Sequence, residues 1–248
     1  MVQPALWNRL GSSQEVRNST LGPDGIYLGG GSFGTGKFGG AFYADSNADS
    51  RVAMPKLGTI NPEAGAIEFW AKIEGFGDYI DWDGHPNFIE DLGSRDRVYW
   101  ETYMGFNGNN GTAGGGLAGE VSGNGAGTGS WEQNWYYEQI LSEDPDGWHH
   151  YAIVWDADGI AGVNDGQRVF AIYLDGQLNS HQWDVYQPAD LHGVTVEDSY
   201  LGLLNNTGGQ GTAAIDNLKI WDFAKTDFSD RFVEGLTYTG TAGSDSLT

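Results

Sequence analysis

The chain has no cysteine among its 248 residues, which removes a disulfide framework, a thiolate metal site and a thiol nucleophile together. Basic residues are scarce as well. Twelve Lys and Arg stand against 34 Asp and Glu, a formal net charge of -22. A surface of that sign repels phosphate backbones and anionic lipid wherever salt does not screen it. Nucleic acid and membrane insertion are therefore not expected, whereas a salty medium and divalent cations suit the charge. No apolar run approaches the ~18 residues of a membrane span, and the opening "MVQPALWNRL" has neither the basic nor the apolar region of a secretory signal. A signal for export would have to lie outside this segment.

Helical periodicity is nearly missing too. Only "TDFSDRF" (226–232) predicts a short helix, with Thr226 or Asp227 as its cap. What fills the chain is alternation of apolar and polar residues in "AIEFWAKI" (66–73), "RVYWETYMGF" (97–106), "WHHYAIVWD" (148–156), "RVFAIYLDG" (168–176), "SYLGLLN" (199–205) and "AAIDNLKIWD" (213–222). Gly, Asn, Asp and Pro clusters separate these runs, as turns require. The pattern predicts an all-β fold, a sandwich or jelly roll of two antiparallel sheets. Ile67, Phe69, Ala71 and Ile73 then share one face of a strand, Tyr151, Ile153 and Trp155 share a face of another, and Trp70 falls on the opposite side between Glu68 and Lys72. Asp175-Gly176 is a tight hairpin turn, so that Asp is structural. The Gly-rich passages 28–40 and 108–129 lack the GxxxxGK[ST] order of a phosphate cradle and read as loops and edge strands.

Five pieces in order carry a family resemblance: "GKFGGAFYADSNADSRVAMP", "AIEFWAKI", "GWHHYAIVWDADG", "RVFAIYLDGQL" and "AIDNLKIWDFAKT". Over residues 27–232 they resemble the laminin G-like, concanavalin A-like jelly roll. We take 1–239 as one such domain. The ending "GTAGSDSLT" (240–248) is similar to one calcium-binding nonapeptide of a repeats-in-toxin array, with Gly240, Gly243, Asp245 and Leu247 at matching positions and Thr241 replacing the second Gly. It reads as the start of a truncated repeat in a longer exported protein, in which Asp245 would ligate calcium if the repeat were completed.

The resemblance leaves the chemistry open, because such domains include glycan binders, adhesion modules, hydrolases and lyases. The ExDxxE string of the similar hydrolases is absent, and Glu101, Glu132 and Glu138 read as isolated surface acids. Tyr136, Gln139, His149 and Arg97 supply the residue types of the similar lyases without their strings. Adjacent strand residues point to opposite faces, so His149 and His150 do not readily share one ion. The resemblance places a structural calcium at Asp216, held with backbone carbonyls of the early hairpin; the plainer reading is a hydrogen bond to a neighbouring loop. Asp45, Asn47 and Asp49 form half of an EF-hand-like run and read as a plain turn.

The aromatic surplus is the remaining signal. The chain has ten Trp and twelve Tyr, and three of each stand beside acids and amides in "GDYIDWDGHPNF" (77–88) and "SWEQNWYYEQI" (130–140); flat rings flanked by hydrogen-bonding groups suit the faces and hydroxyls of sugars. Trp82, Trp100, Tyr103, Trp135 and Tyr136 are the candidate ligand residues, expected to converge on one side of the sandwich. The leading reading is a noncatalytic carbohydrate-binding or adhesion module of an extracellular, calcium-dependent bacterial protein with neighbouring domains. Its alternatives are a lyase or hydrolase domain and a structural spacer.

Overall fold

A computed structural model describes residues 2–44, 50–75, 87–91, 99–106, 115–122, 129–134, 147–166, 168–178, 191–206 and 212–233. In chain order the elements are β1 (Leu6–Asn8), α1 (Ser13–Val16), β2 (Ile26–Gly29), β3 (Ser32–Gly36), β4 (Gly39–Tyr43), β5 (Ser50–Pro55), β6 (Ala64–Gly75) and β7 (Asn87–Asp91). They continue with β8 (Tyr99–Phe106), β9 (Gly115–Ser122), β10 (Gly129–Asn134), β11 (His149–Asp156), β12 (Phe170–Leu174), β13 (Gln177–Leu178), β14 (Tyr200–Asn206) and β15 (Thr212–Trp221).

Two antiparallel sheets result, as the alternation predicts. The eight-stranded sheet runs β13-β12-β11-β6-β15-β4-β3 with β1 added beside β15, and the seven-stranded sheet runs β10-β9-β8-β7-β14-β5-β2. Between them lies the main core, including Phe42, Met54, Ile67, Phe69, Ile89, Ile153, Trp155, Leu201, Leu203 and Ile215. Ile67, Phe69 and Ala71 share its side of β6, and Tyr151, Ile153 and Trp155 its side of β11, as expected. Ile73 is also in β6, but its side chain is outside the described ones.

The eight-stranded sheet is not half-wet. Its outer face carries a second cluster, with Ala66, Ala152, Val154, Ala171, Tyr173 and Trp221 from the strands and Ile160, Val163 and Phe228 from the loops that cover them. A strand apolar on both faces reads as an almost continuous run, which is how "YAIVW" is written. Trp70 is on this outer face, as predicted. Its indole N–H donates to the Arg231 carbonyl at 3.1 Å, and the Lys37 ammonium rests 4.4 Å from its ring centroid.

Asp175 (φ 50°) and Gly176 (φ 79°) make the predicted hairpin turn between β12 and β13, both in the left-handed region such a turn demands. The helix expected over 226–232 does not form. There Ser229 N–H is held by the Asp227 side chain, and Arg231 and Val233 bond back three residues to Phe228 and Asp230, giving two successive turns. Seven residues are too few to nucleate a helix alone, and burial of Phe228 against the sheet selects the turned path. The α-helix that does form, Ser13–Val16, is capped by the Ser12 hydroxyl, which accepts from Glu15 N–H. Among the described residues no helix is long and apolar enough to cross a membrane.

Candidate binding face

The other face of the seven-stranded sheet, turned away from the core, is defined by register. Ile89, Leu201 and Leu203 pack in the core, as do Val52 and Met54, so the alternate positions on these strands belong to the outside. The outer positions of the described half are Ile26 and Leu28 on β2, Arg51, Ala53 and Pro55 on β5, and Tyr200 and Gly202 on β14. Ile26 (38%), Leu28 (42%) and Tyr200 (38%) are exposed. Three large apolar residues are thus exposed on one sheet face, while Ala53 and Gly202 between them are buried.

Following the pairings outward extends that face over β7 to β10. Gly202 pairs with Glu90, Glu90 with Glu101, Glu101 with Glu120, and Glu120 with Trp131. One row therefore crosses all seven strands as Ile26, Ala53, Gly202, Glu90, Glu101, Glu120 and Trp131. The neighbouring rows on the same face add Tyr99 with Ser122, and Tyr103 with Ala118, Gln133 and Asn87. The core-side positions are Ile89 and Asp91 on β7, Trp100, Thr102, Met104 and Phe106 on β8, Leu117, Gly119 and Val121 on β9, and Ser130, Glu132 and Asn134 on β10.

This sorts the candidate ligand residues. Tyr103 falls on the outer face. Trp100 is three residues away on a strand that pairs with β9 without a register shift, so it falls on the core face. An odd separation cannot bring both to one surface. Trp82, Trp135 and Tyr136 lie outside the described residues, as do Asp245 and the run Asp45, Asn47 and Asp49. Glu101, read from sequence as an isolated acid, is the centre of a three-glutamate row. Glu90 and Glu120 are 11 and 19 residues away in sequence, and only strand pairing shows that the three belong together.

Asp216 sits in β15 opposite Trp70, is fully buried, and accepts Phe38 N–H on Oδ2 at 2.8 Å. The carboxylate thus clamps the β3–β4 hairpin directly, from the place the resemblance gives it. Gly36 permits the contact, since a Cβ there would be 2.6 Å from Asp216 Oδ2 and 2.5 Å from Gly40 O. A bulge follows, between Asp216 and Lys219, where Asn217 (φ 54°) accepts the Trp7 indole N–H at 2.7 Å. Among the described residues no three His, Asp or Glu are grouped so as to hold a metal ion. A calcium at Asp216 would have to complete its six to eight oxygens mostly from backbone carbonyls.

The two histidines take opposite faces. His149 Nδ1 is 2.8 Å from Asp175 Oδ2, and His150 Nε2 is 2.9 Å from Glu68 Oε2. Asp175 also accepts His150 N–H, and despite desolvation by burial its carboxyl is pulled below the usual range, first by the His149 hydrogen bond. Glu68 is the centre of a closed ionic cluster on the outer face of the eight-stranded sheet. Its Oε1 accepts the Trp221 indole N–H (2.8 Å) and the Lys225 ammonium (2.9 Å), and Lys225 also pairs with Asp230. Desolvation alone would raise its pKa, but the His150 hydrogen bond and the charges of Lys219 and Lys225 overcome it and hold the value at about 2. Residues 222–233 lie over Glu68, and Lys225 and Asp230 tie that segment to the sheet.

No protein-family profile matches the chain, and neither does any curated protein. Solved structures do match in fold. The binding domain of paraclostridial mosquitocidal protein 1 is 13% identical with a TM-score of 0.64, over 90% of this chain and 49% of that one. The binding domain of botulinum neurotoxin serotype D is 13% identical with a TM-score of 0.62, over 94% and 53%. A third structure concerns botulinum neurotoxin type C, whose cell entry depends upon interaction with two ganglioside molecules; it is 12% identical with a TM-score of 0.55, over 84% and 45%. This chain spans about half the length of those structures, and what it shares with them is the fold over that half.

Proposed function

We propose that this chain is a noncatalytic carbohydrate-binding or adhesion module, acting outside the cell within a longer bacterial protein. The observation that carries the reading is the open outer face of the seven-stranded sheet. Exposed Ile26, Leu28 and Tyr200 continue there into a field of tyrosine, tryptophan, carboxylate and amide positions. Apolar ring faces with hydrogen-bonding groups between them match what a sugar offers. The fold supports the reading by analogy, because the same two-sheet architecture serves toxin binding domains, one of them in a protein whose cell entry depends on gangliosides. The net charge of -22 disfavours nucleic acid and anionic bilayers as partners.

Calcium at Asp216, calcium at Asp245 within a completed repeat, and export by a signal outside this segment belong to the same proposal. The experiment is incubation with a panel of polysaccharides, read for retention and for products. Retention without turnover supports the module. New reducing ends or unsaturated uronates would replace it with an enzyme, and neither outcome would leave a structural spacer.

A further inference from the structure

We propose that the outer side of the eight-stranded sheet docks an acidic, apolar segment of another protein, with Lys37 and Arg231 taking its carboxylates and the cavity beside Val233 taking its apolar side chain. The site is on the sheet opposite the glycan face and is independent of the carbohydrate reading.

Acids outnumber bases 34 to 12 in this chain, so a surface cation ordinarily finds a carboxylate. Two neighbouring cations here do not. Lys37 stands in the exposed two-residue turn between β3 and β4, with Nζ 4.4 Å from the Trp70 ring centroid and 5.8 Å from that of Phe232. The Arg231 guanidinium is 4.4 Å from the same Phe232 centroid, which puts the two charges within about 10 Å of each other. Among the described residues neither side chain meets a carboxylate: Lys37 has its ring contacts, and Arg231 has the Phe232 ring and the Phe228 carbonyl, to which Nη1 donates at 3.1 Å. The acids of the adjoining elements are engaged elsewhere. Glu68 takes His150, Trp221 and Lys225, Asp230 pairs with Lys225, Asp175 with His149, and Asp216 accepts Phe38 N–H.

Both cations are held in place. Phe232 leans on Trp70 with centroids 5.4 Å apart, the Trp70 indole N–H anchors the Arg231 carbonyl, and Asp216 fixes the hairpin that carries Lys37. A guanidinium stacked on a ring keeps its edge donors for a bidentate carboxylate, and side chains already ordered lose little entropy on binding.

Beside the cations the surface is apolar. Val2 (67%), Phe232 (57%) and Val233 (42%) are exposed, and Val2 and Val233 line a cavity of about 250 Å³ with Pro4, Trp7 and Trp221. Its charged neighbours are occupied, since Lys219 donates to the Val233 carbonyl at 3.4 Å and Asp230 holds Lys225. An apolar cavity of roughly 150 Å³ already accepts benzene, so a Leu or Phe side chain fits. Val233 is two residues from Arg231, and side chains two apart on an extended segment are about 6.6 Å apart. An acid and an apolar residue at that spacing reach both features. A sugar has no aliphatic side chain for the cavity, and nucleic acid brings a phosphate at every step against a net charge of -22. One or two carboxylates feel chiefly the cations within a Debye length, about 8 Å at physiological salt.

The test is selection of a random peptide library, about twelve residues long, on the whole chain, followed by anisotropy titration of the enriched peptides. They are expected to carry Asp or Glu two or three residues from a Leu, Ile or Phe. Changing that acid to its amide should weaken binding roughly tenfold, less at high salt. Lys37→Gln, in an exposed turn, should keep the parent's melting temperature and reproduce much of that loss; Arg231→Gln should do the same, and Val233→Asp should abolish binding. Arg17→Gln, exposed at the end of α1, is the charge-matched control and should change nothing. The inference is overturned by a library that enriches no peptide, by enriched peptides without acids, or by unchanged affinity for Lys37→Gln. Equal loss in Arg17→Gln also overturns it, as diffuse attraction, and so does self-association that Val233→Asp abolishes, which would make a second copy the occupant. None of these outcomes bears on the glycan face, which the polysaccharide panel tests separately.

Discussion

Glu68 and His150 meet across the β6–β11 ladder with Oε2 and Nε2 2.9 Å apart, both closed off from solvent. They are diagonal neighbours, since Glu68 pairs with Ala152 and His150 with Trp70. The contact joins two central strands to residues 222–233, because the same carboxylate takes Lys225 and the Trp221 indole. A buried carboxylate with three donors is stable only while it stays ionised.

Acid should therefore loosen the fold through Glu68. Its folded pKa of about 2 lies below the ordinary 4.5, so the stabilisation is complete above the ordinary value and is lost as pH falls toward the folded one. The loss is on the order of 3 kcal/mol. Asp175, also depressed, adds to it with the same sign. Urea unfolding across that range should show the decline, and Glu68→Gln should flatten most of it while lowering stability at neutral pH. A variant as acid-sensitive as the parent would remove Glu68 from this role.

Phe228 should matter far more than its neighbour Phe232. The first is buried in the outer cluster, and the second is 57% exposed. Phe228→Ala should cost about 3 kcal/mol and open residues 222–233 to proteolysis. Phe232→Ala should cost under about 1 kcal/mol, because it loses only part of its contact with Trp70. Equal costs would show that this segment is not held by Phe228.

Tyr103 and Trp100 give opposite tests of the binding face. Tyr103→Ala should weaken a bound glycan roughly fivefold or more and leave the melting temperature in place. Trp100→Ala, at a core-side position of β8, should lower stability and affect binding only through folding. Reversed phenotypes would put the ligand on the other surface.

Chelation separates two roles for Asp216. If calcium is bound there, chelator lowers the melting temperature of the parent and has no effect on Asp216→Ala. If the carboxylate acts alone on Phe38 N–H, chelator changes neither protein, and Asp216→Ala still loses roughly 1–3 kcal/mol from the unpaired donor.

Much of this molecule follows from its sequence by local rules. Period-two alternation placed Ile67, Phe69 and Ala71 on one face and Trp70 on the other, and the Asp175-Gly176 pair announced its turn, because side-chain direction and turn geometry depend on a few adjacent residues. The absence of cysteine and the excess of acid restricted the chemistry for the same reason, as they need no coordinates. Tertiary structure decided the rest. The short segment 226–232 has a helical composition but turns instead, since burying Phe228 against the sheet outweighs so brief a helix. The five aromatic candidates were chosen by closeness in sequence, and register then put Trp100 and Tyr103 on different faces. Glu101 read as an isolated surface acid, and nothing in the sequence connected it with Glu90 or Glu120. Hydrogen-bonded pairing of β7, β8 and β9 sets them side by side, and pairing across strands is a long-range choice that no short window of sequence contains.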